Sequence, residues 1–206
     1  MIKFAFRFCL VACAASIATQ AWAKPMLPGQ SALAVTEIDP LGGVVVAGPS
    51  ASPLVGTAFT GTLTTTVIQG DASNPFGGLT FVYQVANSPH SADGIVRLPV
   101  TGYGNWLTDM SFQPGLGLPP TAMDRSLTGD VVGYSFVGPP VGPTVLLPGT
   151  VSELLIVQTD AAAWTTTTGN GIEGIISTGP IYVPTIPEPA TLALLFGGLV
   201  LLLRRR

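Results

Sequence analysis

The stretch FTGTLTTTV, residues 59–67, alternates between apolar and polar side chains. In an extended chain the side chains of Phe59, Leu63 and Val67 fall on one face, and most of the threonines fall on the other. Threonine and other β-branched residues suit the pleated surface of a sheet. This stretch therefore predicts a half-buried β-strand.

The same period of two recurs along the middle of the chain. LTFVYQV, residues 79–85, places Phe81, Tyr83 and Val85 inward and Gln84 outward. Further strands are predicted at 95–100, 106–112, 131–137, 152–159 and 171–176. Turns rich in glycine, proline and asparagine join them, and no amphipathic helical stretch of ten residues appears before residue 190. The pattern predicts an all-β domain, an antiparallel β-sandwich.

Charge is scarce in this chain of 206 residues, because only 9% of them are Asp, Glu, Lys or Arg. Between residues 24 and 186 there are three basic and ten acidic residues, which gives a formal charge of −7. Nucleic-acid binding requires clustered Lys and Arg. The composition therefore excludes a nucleic-acid-binding protein.

The first 23 residues have the three parts of a secretory signal peptide. Lys3 and Arg7 precede a short apolar run, and Ala21 and Ala23 flank Trp22 as small residues at a cleavage site. We expect a signal-peptide helix, passage through the Sec translocon, and cleavage by signal peptidase after Ala23. The apolar run is too short for a permanent membrane span.

A lipobox-like alternative lies inside the leader, where Leu10, Val11 and Ala12 precede Cys13, which could be lipidated. The run between Arg7 and Cys13 is short for this purpose, and the site at Ala23 is better proportioned. Cys9 and Cys13 are the only cysteines, so cleavage after Ala23 leaves no thiol and no disulfide.

Nothing in the middle predicts catalysis or a cofactor. His90, the single histidine, lies near Ser88, Ser91 and Asp93, but a catalytic triad depends on spatial arrangement and no Gly-x-Ser-x-Gly elbow is present. A secreted hydrolase centred on His90 is the third-ranked alternative, and we expect no enzyme and no catalytic residue.

Two kinds of ligand site can be drawn from the sequence. Asp71 with Asn74, and Asp93 with Asp109, could supply oxygens to Ca²⁺, although no dense calcium loop exists and we expect no metal. Trp106 and Trp164 could stack on sugar rings. A carbohydrate-binding module is therefore the main alternative to a structural role.

The C-terminal region has three consecutive parts. A proline-rich stretch at 178–186 predicts an extended linker. Pro187, Glu188 and Pro189 follow, and Ala190 to Leu203 then form a largely apolar run without charge. As a helix this run is about 21 Å long, against about 30 Å for a bilayer core. We expect a short, marginal transmembrane helix.

Arg204, Arg205 and Arg206 close the chain and set the orientation of this helix. Clustered arginine stays on the cytoplasmic side of a membrane. The Pro-Glu-Pro triplet is therefore expected at the outer face, on the side to which a signal peptide exports the domain.

The tail, with its Pro187-Glu188-Pro189 triplet, apolar run and arginine terminus, closely resembles the PEP-CTERM sorting signal of Gram-negative bacteria. The resemblance implies an exosortase as partner, which processes the tail near the triplet, and a link to exopolysaccharide and biofilm formation. Residues 59–64, 74–84 and 124–126 resemble an ectodomain that recurs in this family and brings no known activity.

We therefore predict four segments, which are a signal peptide at 1–23, a β-sandwich ectodomain at 24–177, a linker at 178–186 and a sorting signal at 187–206. The expected product is an exported surface or matrix protein. It is held first in the inner membrane and then delivered to the cell surface or matrix, where it has a structural or adhesive role.

Overall fold

The computed structural model describes residues 25–115, 117–138, 145–170 and 176–186. These residues form β1 (Ser31–Leu33), β2 (Val44–Val55), β3 (Thr60–Gln69), β4 (Thr80–Asn87), β5 (Arg97–Thr101), β6 (Thr108–Gln113), β7 (Ala122–Arg125), β8 (Val131–Ser135), β9 (Leu154–Thr159), β10 (Ala163–Asn170) and β11 (Ile176–Thr185). All pairings between these strands are antiparallel. No helix occurs among the described residues. The all-β, antiparallel prediction is confirmed.

The strands form two sheets around one core. The smaller sheet has the order β1-β7-β8-β5, and the larger has the order β10-β11-β2-β3-β4-β9-β6. Leu98, Val132 and Tyr134 of the smaller sheet share a buried cluster with Phe81 and Val157 of the larger one. We refer to this unit as the two-sheet domain.

The strand that opens the sequence analysis is β3, at the centre of the larger sheet. Leu63 and Val67 are buried, as the alternation predicts. Thr65 shares their inner face, and its buried hydroxyl has no hydrogen-bond partner. The next predicted strand is β4, where Phe81 and Tyr83 are fully buried. Apolar burial on this scale stabilises such a domain by roughly 25 cal/mol per Å².

The strand pairing places many of the connections at one end of the domain. Thr101 pairs with Val131, Thr108 with Thr159, and Ala163 with Thr185. Consequently the loop after β5, the turn before β8, the loop after β9 and the end of β11 all lie at the same end. We call it the exit end, because the chain continues from there towards Pro187.

Candidate functional site

Strand β11 occupies the stretch that the sequence predicts as a linker, so that prediction is corrected. Ile176–Thr185 pair with β10 along most of their length and with β2 at Ile176 and Ser177. The Pro-Glu-Pro triplet at 187–189 therefore follows the last strand with only Ile186 between them.

The prolines that suggested a linker are compatible with a strand. Beyond Ser177, β11 pairs only with β10, so one side of its backbone has no neighbouring strand. The carbonyls of Pro180 and Tyr182 instead accept side-chain hydrogen bonds, from Ser52 Oγ at 2.5 Å and from the Tyr83 hydroxyl at 2.7 Å. These carbonyls point away from β10, and the backbone nitrogens of Pro180 and Pro184 point to the same side. Their missing N–H groups therefore cost no ladder hydrogen bond.

Buried tyrosines fix β11 from inside the core. The Tyr83 hydroxyl donates its hydrogen to the backbone carbonyl of Tyr182. Because that hydrogen is already used, the Tyr103 hydroxyl is the donor in the 2.6 Å hydrogen bond between Tyr103 and Tyr83. Burial raises the pKa of both phenols above the usual range, which keeps them neutral and able to donate. Ile181 and Val183 on the same strand are buried. The segment next to the sorting triplet is thus a firmly held strand.

Arg125 organises the exit end. Its buried guanidinium donates to the backbone carbonyls of Met26 (2.9 Å), Tyr103 (2.7 Å), Trp106 (2.8 Å) and Gly129 (2.9 Å). Burial lowers the pKa of Arg125, and the negative charge of Asp160 acts in the opposite direction. The side chain ties the N-terminal segment, the loop after β5 and the turn before β8 together. No sequence motif predicts this role.

The two tryptophans predicted as sugar-stacking residues differ in accessibility. Trp164 on β10 is 37% exposed and packs edge-to-face against Tyr182, with ring centroids 5.0 Å apart. Trp106 is half-buried, and its carbonyl is held by Arg125. Trp164 is the more exposed of the two.

An acidic cleft also opens at the surface of the domain. It has a volume of about 510 Å³ and lies between the N-terminal segment, β6 and β7, with Glu37 and Asp109 in its lining. Asp39 is buried beside them and accepts a hydrogen bond from Ser111 Oγ at 3.2 Å. No sequence motif predicts that Asp109 meets Glu37 and Asp39.

Two of these carboxyl groups, Glu37 and Asp109, have raised pKa values. Burial, a hydrogen bond with Asp39 and the charges of Asp109 and Asp39 raise the pKa of Glu37 to about 8. Burial also raises the pKa of Asp109 to about 6, with a contribution from Asp39, although the Met110 N–H works against this rise. A hydrogen bond between two carboxyl groups requires a proton, so Glu37 is protonated at neutral pH and donates to Asp39.

This cluster predicts that the domain loses stability as the pH rises. The folded state keeps protons on Glu37 up to about pH 8, whereas the unfolded chain releases them near pH 4.5. Because Glu37 is only half-buried, solvent screening reduces this effect to about 1–2 kcal/mol, and the melting temperature should fall by roughly 4 °C between pH 5 and pH 9. Glu37→Gln, which retains a hydrogen-bond donor without a charge, should abolish most of this fall and raise the melting temperature at pH 9.

Asp130→Asn, a change at an exposed aspartate, is the matched control and should keep the wild-type pH dependence. The measurements start at pH 5 because Asp71 acts in the opposite sense. Burial pushes the pKa of Asp71 up, but hydrogen bonds from Ser73, Thr80 and Leu41 outweigh it and hold that pKa low. An unchanged slope in Glu37→Gln would refute the assignment.

The proposed calcium ligands make other contacts. Asp71 accepts hydrogen bonds on both oxygens, and Asn74 bridges Phe76, Gly78 and Thr159. Asp93 lies beyond the far end of β4 and Asp109 at the exit end, so the predicted proximity of this pair is corrected. Within the described ranges no group of three or more His, Cys, Asp or Glu is placed to hold a metal.

His90 lies in an exposed loop at the end opposite to the exit end. Its backbone N–H donates to Ser88 Oγ at 3.2 Å. Ser91 Oγ is engaged with the backbone of Thr60, both as donor and as acceptor. The described hydrogen bonds of these serines are therefore made with the backbone.

Several predicted residues lie outside the described part of the chain. They are the signal-peptidase residues Ala21 and Ala23, the triplet Pro187, Glu188 and Pro189, the residues of the expected membrane helix, and Arg204, Arg205 and Arg206. Among the residues that are described, no candidate membrane-spanning helix is found.

Comparison with known proteins identifies the tail. The family model of the PEP-CTERM protein-sorting motif matches residues 185–206. None of the curated proteins and none of the solved structures matches the chain. The matched region begins at Thr185, the last residue of β11, and includes the triplet, the apolar run and the arginines. The motif implies exosortase-dependent sorting of an exported protein. The chain thus carries a PEP-CTERM protein-sorting motif, placed directly after the final strand of an all-β, two-sheet domain.

Proposed function

We propose that this protein is an exosortase substrate of a Gram-negative bacterium, exported through its signal peptide and held for a time in the inner membrane by Ala190 to Leu203. The exosortase then processes the tail near Pro187–Pro189 and releases the domain to the cell surface or matrix. The observation that carries the proposal is the match to the sorting motif at residues 185–206.

Physical properties of the tail support a temporary anchor. Its apolar run gives a helix of about 21 Å, shorter than the roughly 30 Å of a bilayer core. Such a helix holds a protein only marginally, and the three arginines orient it with the triplet outward. Processing at the triplet would remove the whole anchor from the domain.

We further propose that the domain, a β-sandwich, acts as a structural or adhesive component within exopolysaccharide and biofilm, without catalysis. Its low content of charged residues supports this role, since neutral hydroxyl-rich strands can hydrogen-bond to a polysaccharide. Thr60 and Thr62 on β3 and Thr165 and Thr166 on β10 are exposed in this way.

Carbohydrate recognition at Trp164 is a second candidate, favoured by the exposure of that ring and its edge-to-face support from Tyr182. The test measures binding to the exopolysaccharide of the bacterium that produces the protein. Loss of this binding in Trp164→Ala, with binding retained in Trp106→Ala, would support carbohydrate recognition. A scaffold without a sugar site would show no difference between the variants.

The sorting proposal is tested by expressing the chain in matched cells that contain or lack an exosortase. With the enzyme, we expect the domain to leave the membrane fraction. Without it, the chain should accumulate in the membrane fraction because its anchor is retained. An identical distribution in the two strains would contradict exosortase dependence.

A further inference from the structure

The exit end carries exposed apolar side chains from several connections. Leu127 in the turn before β8 is 90% exposed and lies over Gly29. The others are Leu27 (55%), Leu107 (50%), Trp164 (37%) and Ile186 (62%). Because single exposed apolar residues are ordinary, their collection at the end from which the chain leaves is the relevant feature.

Contacts place these residues on connections that meet at this end. Arg125 binds the backbone carbonyls of Met26 and Trp106, the residues that precede Leu27 and Leu107. It also binds the carbonyl of Gly129, which lies in the same turn as Leu127. The Leu107 N–H donates to Asp160 Oδ1 at 2.9 Å, and Asp160 precedes β10, which bears Trp164. The patch therefore rests on a rigid, hydrogen-bonded base.

The sequence after β11 limits how far this patch can lie from a bilayer. Only Pro187, Glu188 and Pro189 separate Ile186 from the apolar run. Three residues span at most about 10 Å. A headgroup layer is about 6 Å thick on each side of the hydrocarbon core. A membrane-held tail would thus keep the exit end close to the headgroups.

We propose that the exit end docks on the surface of the bilayer while the tail is held there, with Leu127 and Trp164 entering the interfacial layer. This inference rests on the proposed membrane-held intermediate. Tryptophan favours that layer because its ring is apolar and its N–H is polar. The contact is with neutral lipid, since Asp130 and Asp160 are exposed at this end and its arginine, Arg125, is buried.

The test uses the chain as it stands after signal-peptide cleavage, Lys24 to Arg206, in phosphatidylcholine vesicles with a fluorescent label on one cysteine. Leu127→Cys reports on the exit end. Leu147→Cys is the matched control, since Leu147 is 56% exposed at the opposite end, where Leu146 pairs with Ile95. This chain has no cysteine of its own, so the label has a single position.

Brominated phosphatidylcholine should quench the label at 127 at least about twofold more than the label at 147, because the ends of a ten-residue strand are about 30 Å apart. Adding phosphatidylglycerol should weaken the quenching at 127. Equal quenching at both positions, or stronger quenching with the anionic lipid, would overturn the docking proposal.

Flotation of the same vesicles separates this inference from the function on which it rests. If the chain floats but neither label is quenched, docking is overturned and the membrane-held intermediate stands. If the chain does not float, both are overturned. In either case exosortase dependence is still decided by the comparison of the two strains.

Discussion

Arg125→Met should destabilise the two-sheet domain by about 4 kcal/mol, the largest effect that we expect of a single substitution. Methionine keeps much of the apolar stem but removes the donors for the carbonyls of Met26, Tyr103, Trp106 and Gly129. A buried carbonyl left without a partner costs about 1–3 kcal/mol, and some of the four would regain water when the loops separate. Urea unfolding of the purified chain, followed by tryptophan fluorescence, measures the loss.

Arg97→Met is the control for this prediction. Arg97 forms a two-point ion pair with Asp124, at 3.1 Å and 2.6 Å, but both side chains are partly exposed. Such a pair contributes about 1 kcal/mol or less. If the two substitutions cost the same, Arg125 would not be the organiser of the exit end.

Replacing Pro187, Glu188 and Pro189 with alanine should leave the protein in the membrane fraction. The triplet is the rigid, outward-facing part of the matched motif, whereas the apolar run that anchors the chain stays intact. We expect release to fall by about tenfold or more, since a loss of only about 1.4 kcal/mol in recognition costs a factor of ten. Cell fractionation with immunoblotting of the domain gives the result.

A matched triple change is available in the exposed loop at the opposite end. Ser88→Ala, Pro89→Ala and His90→Ala alter the same number of residues and should leave release at the wild-type level. Normal release of the triplet variant would show that recognition does not depend on Pro187–Pro189.

The strands that could be predicted from the sequence are those whose burial pattern is local. In β3 and β4 the side chains of Leu63, Val67, Phe81 and Tyr83 follow a period of two, and the structure buries all of them, although Val82 on the other face of β4 is buried as well. Such strands can be predicted because the two faces of a sheet differ in environment, so apolar and polar residues alternate along the strand itself.

The strands that were missed depend on their partners. β2 contains Pro49 and Pro53 and shifts its register against β3 between Val45 and Ser50, which interrupts the alternation. β11 resembles a linker because of Pro180 and Pro184. It is stable as a strand because Ser52 and Tyr83 bind its carbonyls on the side where no neighbouring strand pairs with it. Such contacts between distant residues leave no local pattern.

The candidate sites divide in the same way. The sorting motif could be predicted because its parts follow one another along the chain, and the family model matches them. The acidic cleft brings Asp109 to Glu37 and Asp39 from a distant position in the chain. Arg125 acts through backbone carbonyls, which every residue has and which therefore leave no sequence pattern. Only the fold brings those groups together.

The most direct test of the central claim is the intact mass of the mature protein, purified from cells that contain an exosortase. We predict a chain that begins at Lys24 and ends near Pro187–Pro189, without the apolar run and without Arg204 to Arg206. A mass that retains residues 190–206 in the released protein would contradict the account, because the tail would then be a permanent part of the molecule.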